Sequence, residues 1–410
     1  MSTWTIANAR VLTLAPPGCP VGPRRGRWLG DLGVRSHGWV ECSDGRIVRV
    51  GDGEPPTRDY IDARGRVLMP GFVDCHTHSC WAGDRFDEAD LRQRGVPYLE
   101  ILRRGGGIMS TVRATRAASR ESLAAATAAR FRTAARLGTT CIEAKSGYGL
   151  APQPELRMLD AIADAAARTP QRVVATFLGA HAKDPENPRF VDETIETTLP
   201  AAIRAHPGIA CDAYCEEGAW SLDDCRRYFD AARQLGAPIR VHADQFHSLG
   251  MVELAIALGA RSVDHLEATT DVDLARLAAS DAIGVALPCC GFHLDGRFAP
   301  MRAFVDRDGA AAIATNLNPG SSPTASMPFV IALAVRQLRL SPAEAIACAT
   351  INGAHVLGLA GELGSIEPGK RADLQLLPSC DERTLAYEYA APGPDEVWIG
   401  GAPLNSLRNV

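Results

Sequence analysis

The sequence predicts an α/β protein, a (β/α)8 TIM-type barrel with a small β-sandwich domain formed from both chain termini. Through the middle of the chain, short apolar runs that end in polar or ionisable residues alternate with alanine-rich segments of helical periodicity. No Gly-x-Gly-x-x-Gly turn follows the first of these runs, which disfavours an open, doubly wound sheet. Both chain ends contain short strand-like segments separated by Gly and Pro. This pattern indicates a barrel inserted into a β domain.

The two ends of the chain have a similar, strand-like residue composition. Residues 3–14 and 39–50 have the composition of strands, and a Gly-, Pro- and Arg-rich surface loop at 16–38 separates them. Residues 342–357 continue the helical pattern of the middle region, after which 364–377 return to short strands. We therefore expect residues 1–66 and 358–410 to form one composite β domain and residues 67–357 to form the barrel.

Strands and crossover helices account for the middle of the chain. We predict eight barrel strands, at residues 67–74, 139–144, 172–179, 209–215, 239–242, 262–265, 283–288 and 311–315. Apolar residues at three- and four-residue spacing predict helices between them, including 120–137, 154–167, 222–235, 251–258 and 274–279. In such barrels the carboxyl ends of the strands form the face that carries the active site. The ionisable residues that end these runs therefore indicate where chemistry occurs.

Composition excludes several classes of function. The chain has 410 residues, of which 46% are hydrophobic and 22% charged, and this balance excludes disorder. Its formal net charge of −5 leaves no basic excess for nucleic acid or an anionic membrane. No apolar run is long enough to span a membrane and the N-terminus does not resemble a signal peptide, so we expect a cytoplasmic protein with reduced cysteines. A homodimer is the default expectation for its assembly.

The strongest local signal is His76-Thr77-His78, directly after the first predicted barrel strand. In an extended chain the two imidazoles point to the same side and can bind one divalent metal, although two surface or hydrogen-bonding histidines give the same pattern. His181, His242 and His265 also fall at predicted strand ends, which favours the metal site. Cys75 and Cys80 flank the pair, but alternation points Cys75 away from it. We therefore expect the metal to bind histidines and not thiolates.

These motifs, together with the closing segment at 364–374, resemble the metal-dependent amidohydrolase superfamily over nearly the whole chain. Longer matches are similar to members that open a small anionic imidazolone ring, at residues 98–101, 105–116, 143–150, 176–181 and 318–323. The resemblance implies hydrolysis of 4-imidazolone-5-propanoate to N-formimidoyl-L-glutamate by metal-activated water, a step of histidine degradation. It also implies a small anionic substrate.

The resemblance implies specific site residues. The implied metal ligands are His76, His78, His242 and Asn316, holding one divalent Zn²⁺ or an iron ion, Fe²⁺ or Fe³⁺. Arg85 is the implied contact of the substrate carboxylate, since a guanidinium offers a planar bidentate fork. The alternative for Arg85 is a rim salt bridge with Asp84, Asp87 or Glu88. The other implied substrate contacts are Tyr98, Tyr148, His181, Gln245, Asn318, Gly320 and Ser321. Catalytic roles are implied for His265, Gln245 and Asn316.

Two residues depart from the pattern of the superfamily. Asn316 stands where a Thr-Asp-x-Asn-Pro-Gly motif has its Asp, and Gln245 stands where a His-Ala-Asp-Glu-Phe motif has its Glu. An amide oxygen can bind a metal, but it cannot accept a proton as a carboxylate does. The general base is therefore His265 or, failing that, Asp244, Glu216 or solvent hydroxide.

Two other functions remain open at the level of sequence. The two amides favour either a related amidohydrolase or deaminase that acts on another small cyclic amide, or an impaired member that only binds its ligand. The retained Arg85, Tyr148 and His181 favour imidazolone hydrolysis. Lys145 lies on the second strand, whereas related two-metal enzymes carry their bridging lysine on the fourth, so we expect one metal.

Overall fold

The computed structural model describes residues 3–96, 98–389 and 393–404, without the side chains of residues 98, 99 and 102. In chain order its strands are β1 (Trp4–Leu12), β2 (Val34–Ser43), β3 (Arg46–Asp52), β4 (Ile61–Asp62), β5 (Val67–Pro70), β6 (Phe72–Asp74), β7 (Thr139–Lys145), β8 (Arg172–Ala180), β9 (Ala210–Tyr214), β10 (Ile239–Ala243), β11 (Ser262–His265), β12 (Ile283–Ala286), β13 (Ala311–Ile313), β14 (Leu374–Leu376), β15 (Glu396–Ile399) and β16 (Ala402–Pro403).

The α-helices are α1 (Phe86–Gln93), α2 (Tyr98–Arg103), α3 (Ile108–Ala117), α4 (Arg120–Arg136), α5 (Pro152–Ala166), α6 (Phe190–Glu193), α7 (Leu199–Ala205), α8 (Leu222–Gln234), α9 (Met251–Ala257), α10 (Asp271–Ala278), α11 (Pro288–Leu294), α12 (Met301–Val305), α13 (Met327–Gln337), α14 (Pro342–Cys348), α15 (Ile351–Val356) and α16 (Thr384–Tyr387). Several begin at a side-chain cap: Ser119, Ser221 and Thr270 accept bonds from backbone N–H groups in the first turns of α4, α8 and α10.

Strands β6 to β13 form the predicted barrel. They pair in parallel and in chain order. The barrel closes just beyond its first and last strands, where Asn316 N donates to His76 O at 3.0 Å and His78 N donates to Asn316 O at 3.1 Å. Closure therefore joins the segments that carry three of the predicted metal ligands. The fold predicted from the sequence is confirmed.

The strands from the two chain ends form a second sheet, in the order β16-β15-β14-β5-β1-β2-β3, with β4 beside β1. The central pair is β5 and β14, in which Met69 lies opposite Gln375. Residues 67–74 therefore do not form one barrel strand as predicted, because β5 belongs to the terminal sheet and only β6 enters the barrel. The predicted domain limits at residues 66 and 358 stay a prediction.

Gly71 makes the switch between the two sheets. Its N–H donates to Asp373 O at 3.0 Å, and a Cβ at this position would lie 2.2 Å from the side chain of buried Thr140. Only glycine allows β6 to pass this close to β7. The sequence reading missed this break because both halves of the segment are uniformly apolar.

No helix among the described residues is long and apolar enough to cross a membrane. The cysteines, all within the described ranges, are free thiols, and most are buried.

We predict that Gly71→Ala destabilises the protein by about 1–3 kcal/mol, because the added methyl group overpacks the contact with Thr140. Thermal unfolding followed by circular dichroism measures the change in Tm. Gly361→Ala is the matched control, since a Cβ at that position meets no atom within 4 Å in the described structure. Equal Tm values for the two variants would contradict the close approach of β6 and β7.

Candidate active site

Three histidine side chains converge at the carboxyl ends of the barrel strands. His76 and His78 follow β6, and His242 lies near the end of β10. His78 Nε2 lies 3.3 Å from His76 Nε2 and 3.2 Å from His242 Nε2, and all three side chains are buried. The period-two geometry of extended chain places the first two imidazoles on one side, as the sequence predicts.

Carboxylates hold two of these imidazoles in a defined tautomer. His76 Nδ1 lies 2.6 Å from Asp264 Oδ2, and His242 Nδ1 lies 3.0 Å from Asp212 Oδ1. A carboxylate accepts a hydrogen bond, so each Nδ1 carries the proton and each Nε2 presents a lone pair. The lone pairs of His76 and His242 therefore face the same small volume, an arrangement suited to a cation.

The electrostatic environment keeps the three imidazoles neutral. Burial, with a smaller contribution from Lys145, lowers the pKa of His76 well below its ordinary value. Burial and the neighbouring His181 do the same to the pKa of His78. Burial also lowers the pKa of His242, although Asp212 opposes the shift. Neutral imidazole is the form that binds metals.

A buried network of charges lies in the barrel around the same carboxylates. Lys145 Nζ donates to Glu143 at 2.9 Å and to Asp212 at 2.8 Å. Arg240 donates to Asp264 at 2.8 Å and also bonds Glu143. Every member of this network is buried. Lys145 is thus paired with two carboxylates.

Asn316 adds an oxygen beside the three histidines. Its backbone has a φ of 67°, a conformation that side-chain-bearing residues rarely adopt, and its Nδ2 donates to Ser321 Oγ at 3.0 Å. Its Oδ1 is buried and has no hydrogen-bond partner among the described residues. An unpartnered buried carbonyl oxygen is unfavourable unless a cation or water binds it. The residues present therefore fit a metal ion.

His265 faces the three histidines from the end of β11. Its ring centroid lies 5.4 Å from that of His242, and its backbone φ is 89°. His265 Nδ1 lies 3.3 Å from Glu267 Oε1, so the carboxylate favours the tautomer with the proton on Nδ1. Cys290 lies nearby and accepts a hydrogen bond of 3.4 Å from Gln245 Nε2. The contact with Glu267 engages Nδ1 of His265 and leaves Nε2 outside that hydrogen bond.

A cavity of about 700 Å³ opens above the histidines. Most of the sequence-predicted site residues line it: His78, Arg85, Tyr148, His181, His242, Gln245, His265, Asn316, Asn318, Gly320 and Ser321. His76 contacts the cavity residue His78 from below. Backbone atoms of Tyr98 begin α2, and its side chain lies outside the described residues.

Asp244 is buried but is not among the lining residues described, whereas Glu216 lines the cavity and accepts a bond from Phe246 N at 2.9 Å.

Arg85 lies at one end of this cavity. Its Nε donates to Glu88 at 2.7 Å and its Nη1 to Thr111 Oγ1 at 3.3 Å. The guanidinium packs on Gly320, where a Cβ would lie 3.0 Å from Nη1. Gly320 N already donates to Asn318 Oδ1 at 2.9 Å, which fixes this turn. Gly320 thus leaves room for the guanidinium of Arg85 at the cavity wall.

Sequence reasoning missed the charged residues that support the site. Those in the barrel are Glu143, Asp212, Arg240 and Asp264, and those near the cavity are Arg92 and Glu267. Glu88, one of the acidic residues that the sequence offers as a salt-bridge partner of Arg85, does bond that guanidinium. The first group could have been found, because a charged residue within an otherwise apolar strand is buried only with a partner. The second group lies in a helix and a loop of ordinary polarity, where no such signal exists.

Residues 67–404 match the amidohydrolase family. The chain belongs to the amidohydrolase family. Curated relatives of similar length are imidazolonepropionases: the protein from Syntrophobacter fumaroxidans is 40% identical over 100% of this chain and 99% of its own, and that from Rubrobacter xylanophilus is 45% identical over 89% and 90%. Within the family, the chain belongs with the imidazolonepropionases.

Solved structures of lower identity have the same fold. An adenosine deaminase from Xanthomonas campestris, described with bound zinc, is 20% identical with a TM-score of 0.69, covering 98% of this chain and 92% of that one. Guanine deaminase from E. coli is 15% identical with a TM-score of 0.72, covering 98% and 99%. At such identities the likeness establishes the fold alone.

We predict that Lys145→Met destabilises the protein by about 3–5 kcal/mol, since it leaves Glu143 and Asp212 buried without their shared cation. Lys183→Met is the control, because Lys183 pairs with Asp224 at 2.9 Å in a more exposed position and is expected to change stability by about 1 kcal/mol or less. Denaturant unfolding of both variants measures the difference. A small change in both would show that the buried network contributes little to stability.

Proposed function

We propose that this protein is an imidazolonepropionase, which hydrolyses 4-imidazolone-5-propanoate to N-formimidoyl-L-glutamate. The observation that carries the proposal is one cavity with neutral, converging histidines at its base and Arg85 at its wall. Curated relatives with this activity, similar over nearly the whole chain, support it. A deaminase function is not favoured, because the deaminases resemble the chain only at 15–20% identity.

One divalent metal, Zn²⁺ or an iron ion, is proposed to bind His76, His78, His242 and the side-chain oxygen of Asn316. Imidazole and carbonyl donors in this number suit either ion. When bound, such an ion activates water and polarises a carbonyl group as a Lewis acid. Asp264 and Asp212 hold His76 and His242 in the tautomer that presents Nε2 to a metal.

Arg85 is proposed to bind the propanoate carboxylate and thereby set the position of the ring. The Nη atoms of a guanidinium match the two oxygens of a carboxylate. Tyr148 and His181 contact each other, with ring centroids 5.2 Å apart, and His181 stacks on His78 at 4.8 Å. Burial lowers the pKa of His181 to about 3, so it offers a neutral ring to the substrate. Asn318 and Ser321 supply polar groups along the same wall.

His265 is the proposed proton carrier of the reaction. With Nδ1 hydrogen-bonded to Glu267, its Nε2 accepts a proton from the attacking water. The water oxygen joins the ring carbonyl carbon, the bond from that carbon to the ring nitrogen breaks, and the proton passes to this nitrogen. The carbonyl becomes the new carboxylate of the product. Cytoplasmic location and homodimer assembly remain predictions from the sequence.

We predict that His78→Ala loses bound metal, because only two converging imidazoles remain. Elemental analysis of metal per chain after dialysis measures the loss, and circular dichroism checks the fold. His37→Ala is the control, since His37 is exposed on β2 in the terminal sheet and its variant is expected to retain the wild-type metal content. A His78→Ala variant with full metal content would contradict the ligand assignment.

We predict that His265→Ala lowers kcat by about 10²–10⁴-fold, as expected for loss of general acid–base catalysis. Asn316→Asp is expected to bind metal more tightly and to depend less on His265, because it supplies both a negative charge and a proton acceptor. Rates of imidazolone hydrolysis by wild type and Asn316→Asp, each with and without His265→Ala, measure both effects.

Two results would contradict this proton route. If His265→Ala leaves the wild-type rate unchanged, the acceptor is Asp244, Glu216 or hydroxide. If wild type is inactive and Asn316→Asp is active, the chain is an impaired member of its family that binds ligand without hydrolysing it.

A further inference from the structure

Glu88 holds two arginines at the wall of the cavity. Arg85 Nε donates to Glu88 Oε2 at 2.7 Å, and Arg92 Nη2 donates to Glu88 Oε1 at 2.7 Å from one turn further along α1. Gly107 N also donates to Oε2, at 2.9 Å. Glu88 is buried, and both arginines line the cavity. The three side chains form one unit, which we call the arginine pair with its Glu88 bridge.

The charges of this unit give Arg92 a role of its own. Burial by itself would raise the pKa of Glu88, but the bonds from Arg85 and Gly107 and the charge of Arg92 bring it below its ordinary value, so Glu88 is ionised. The positive charge of Arg85 and the negative charge of Glu88 would by themselves cancel. Only Arg92 leaves the unit with one net positive charge that can attract an anion.

Arg92 also has an unused donor. Its Nη1 is buried and has no hydrogen-bond partner in the described part of the chain. A guanidinium has five N–H groups, and burying one without an acceptor is unfavourable.

Two further acidic side chains, Glu216 and Glu217, line the cavity, and the lining pair Asp295 and Arg297 cancel each other at a distance of 2.6 Å. An anionic ligand is therefore repelled from Glu216 and Glu217 and drawn toward the arginine pair.

We propose that Arg92 is a specificity-determining residue, which makes the cavity select ligands that carry a carboxylate. The inference rests on the proposed function, since it assigns the carboxylate end of the same substrate. Arg85 contacts the carboxylate directly, while Arg92 offsets the negative charge of Glu88. Without Arg92, Glu88 would neutralise Arg85 and weaken its attraction for the substrate.

The test compares 4-imidazolone-5-propanoate with its uncharged propanamide analogue. Arg92→Gln is expected to raise KM and Kd for the acid about tenfold, with kcat little changed and Kd for the amide unchanged. Arg92→Lys keeps the charge and is expected to restore part of the affinity. Arg94→Gln is the control, because Arg94 follows the same helix, pairs with Asp90 at 2.8 Å and is largely exposed.

Steady-state kinetics and calorimetric binding are measured for each variant, together with Tm. Equal weakening of acid and amide by Arg92→Gln, or no weakening of either, would overturn the inference while leaving the proposed function intact. Wild type that neither binds nor hydrolyses the acid would overturn the proposed function and this inference together. A wild type that binds the acid without turnover contradicts only the hydrolysis, since the Kd values still decide the role of Arg92.

Discussion

The pairing of buried charges inside the barrel is the constraint on which the rest of the site depends. Lys145 and Arg240 are enclosed with Glu143, Asp212 and Asp264, and none of these groups could be buried alone. The same carboxylates that neutralise the two cations also bind Nδ1 of His76 and His242. Charge burial and imidazole orientation are therefore one arrangement, and removing a cation disturbs both.

This arrangement also explains why the site can accept a divalent ion. The network holds three carboxyl groups against two basic side chains, next to the three histidines. The side chain of Asn316 is neutral. The carboxyl groups of the buried network outnumber its basic side chains and lie next to the histidines. With Asn316 as the proposed amide ligand, this excess of carboxyl groups supplies part of the electrostatic attraction that a carboxylate ligand would give.

Much of the fold could be predicted because it depends on local pattern. Apolar runs that end in polar or ionisable residues predicted the positions of most strands from β6 to β13, and period-two geometry placed His76 and His78 on one side. The split of residues 67–74 at Gly71 could not be predicted, since both halves are apolar and the partners of β5 come from the far end of the chain. Contacts such as His76 with Asp264 or Arg85 with Arg92 through Glu88 depend on side-chain placement in space. No spacing rule in the sequence encodes them.

The converging histidines are proposed to hold one metal ion, at a centre that opens an imidazolone ring. Turnover of 4-imidazolone-5-propanoate can be measured as a function of metal bound per chain, with the product identified by mass spectrometry. The rate is expected to rise in proportion to bound metal, to reach its maximum at one ion per chain, and to yield N-formimidoyl-L-glutamate. Fully metal-loaded protein that forms no N-formimidoyl-L-glutamate, or a rate independent of metal content, would contradict this proposal.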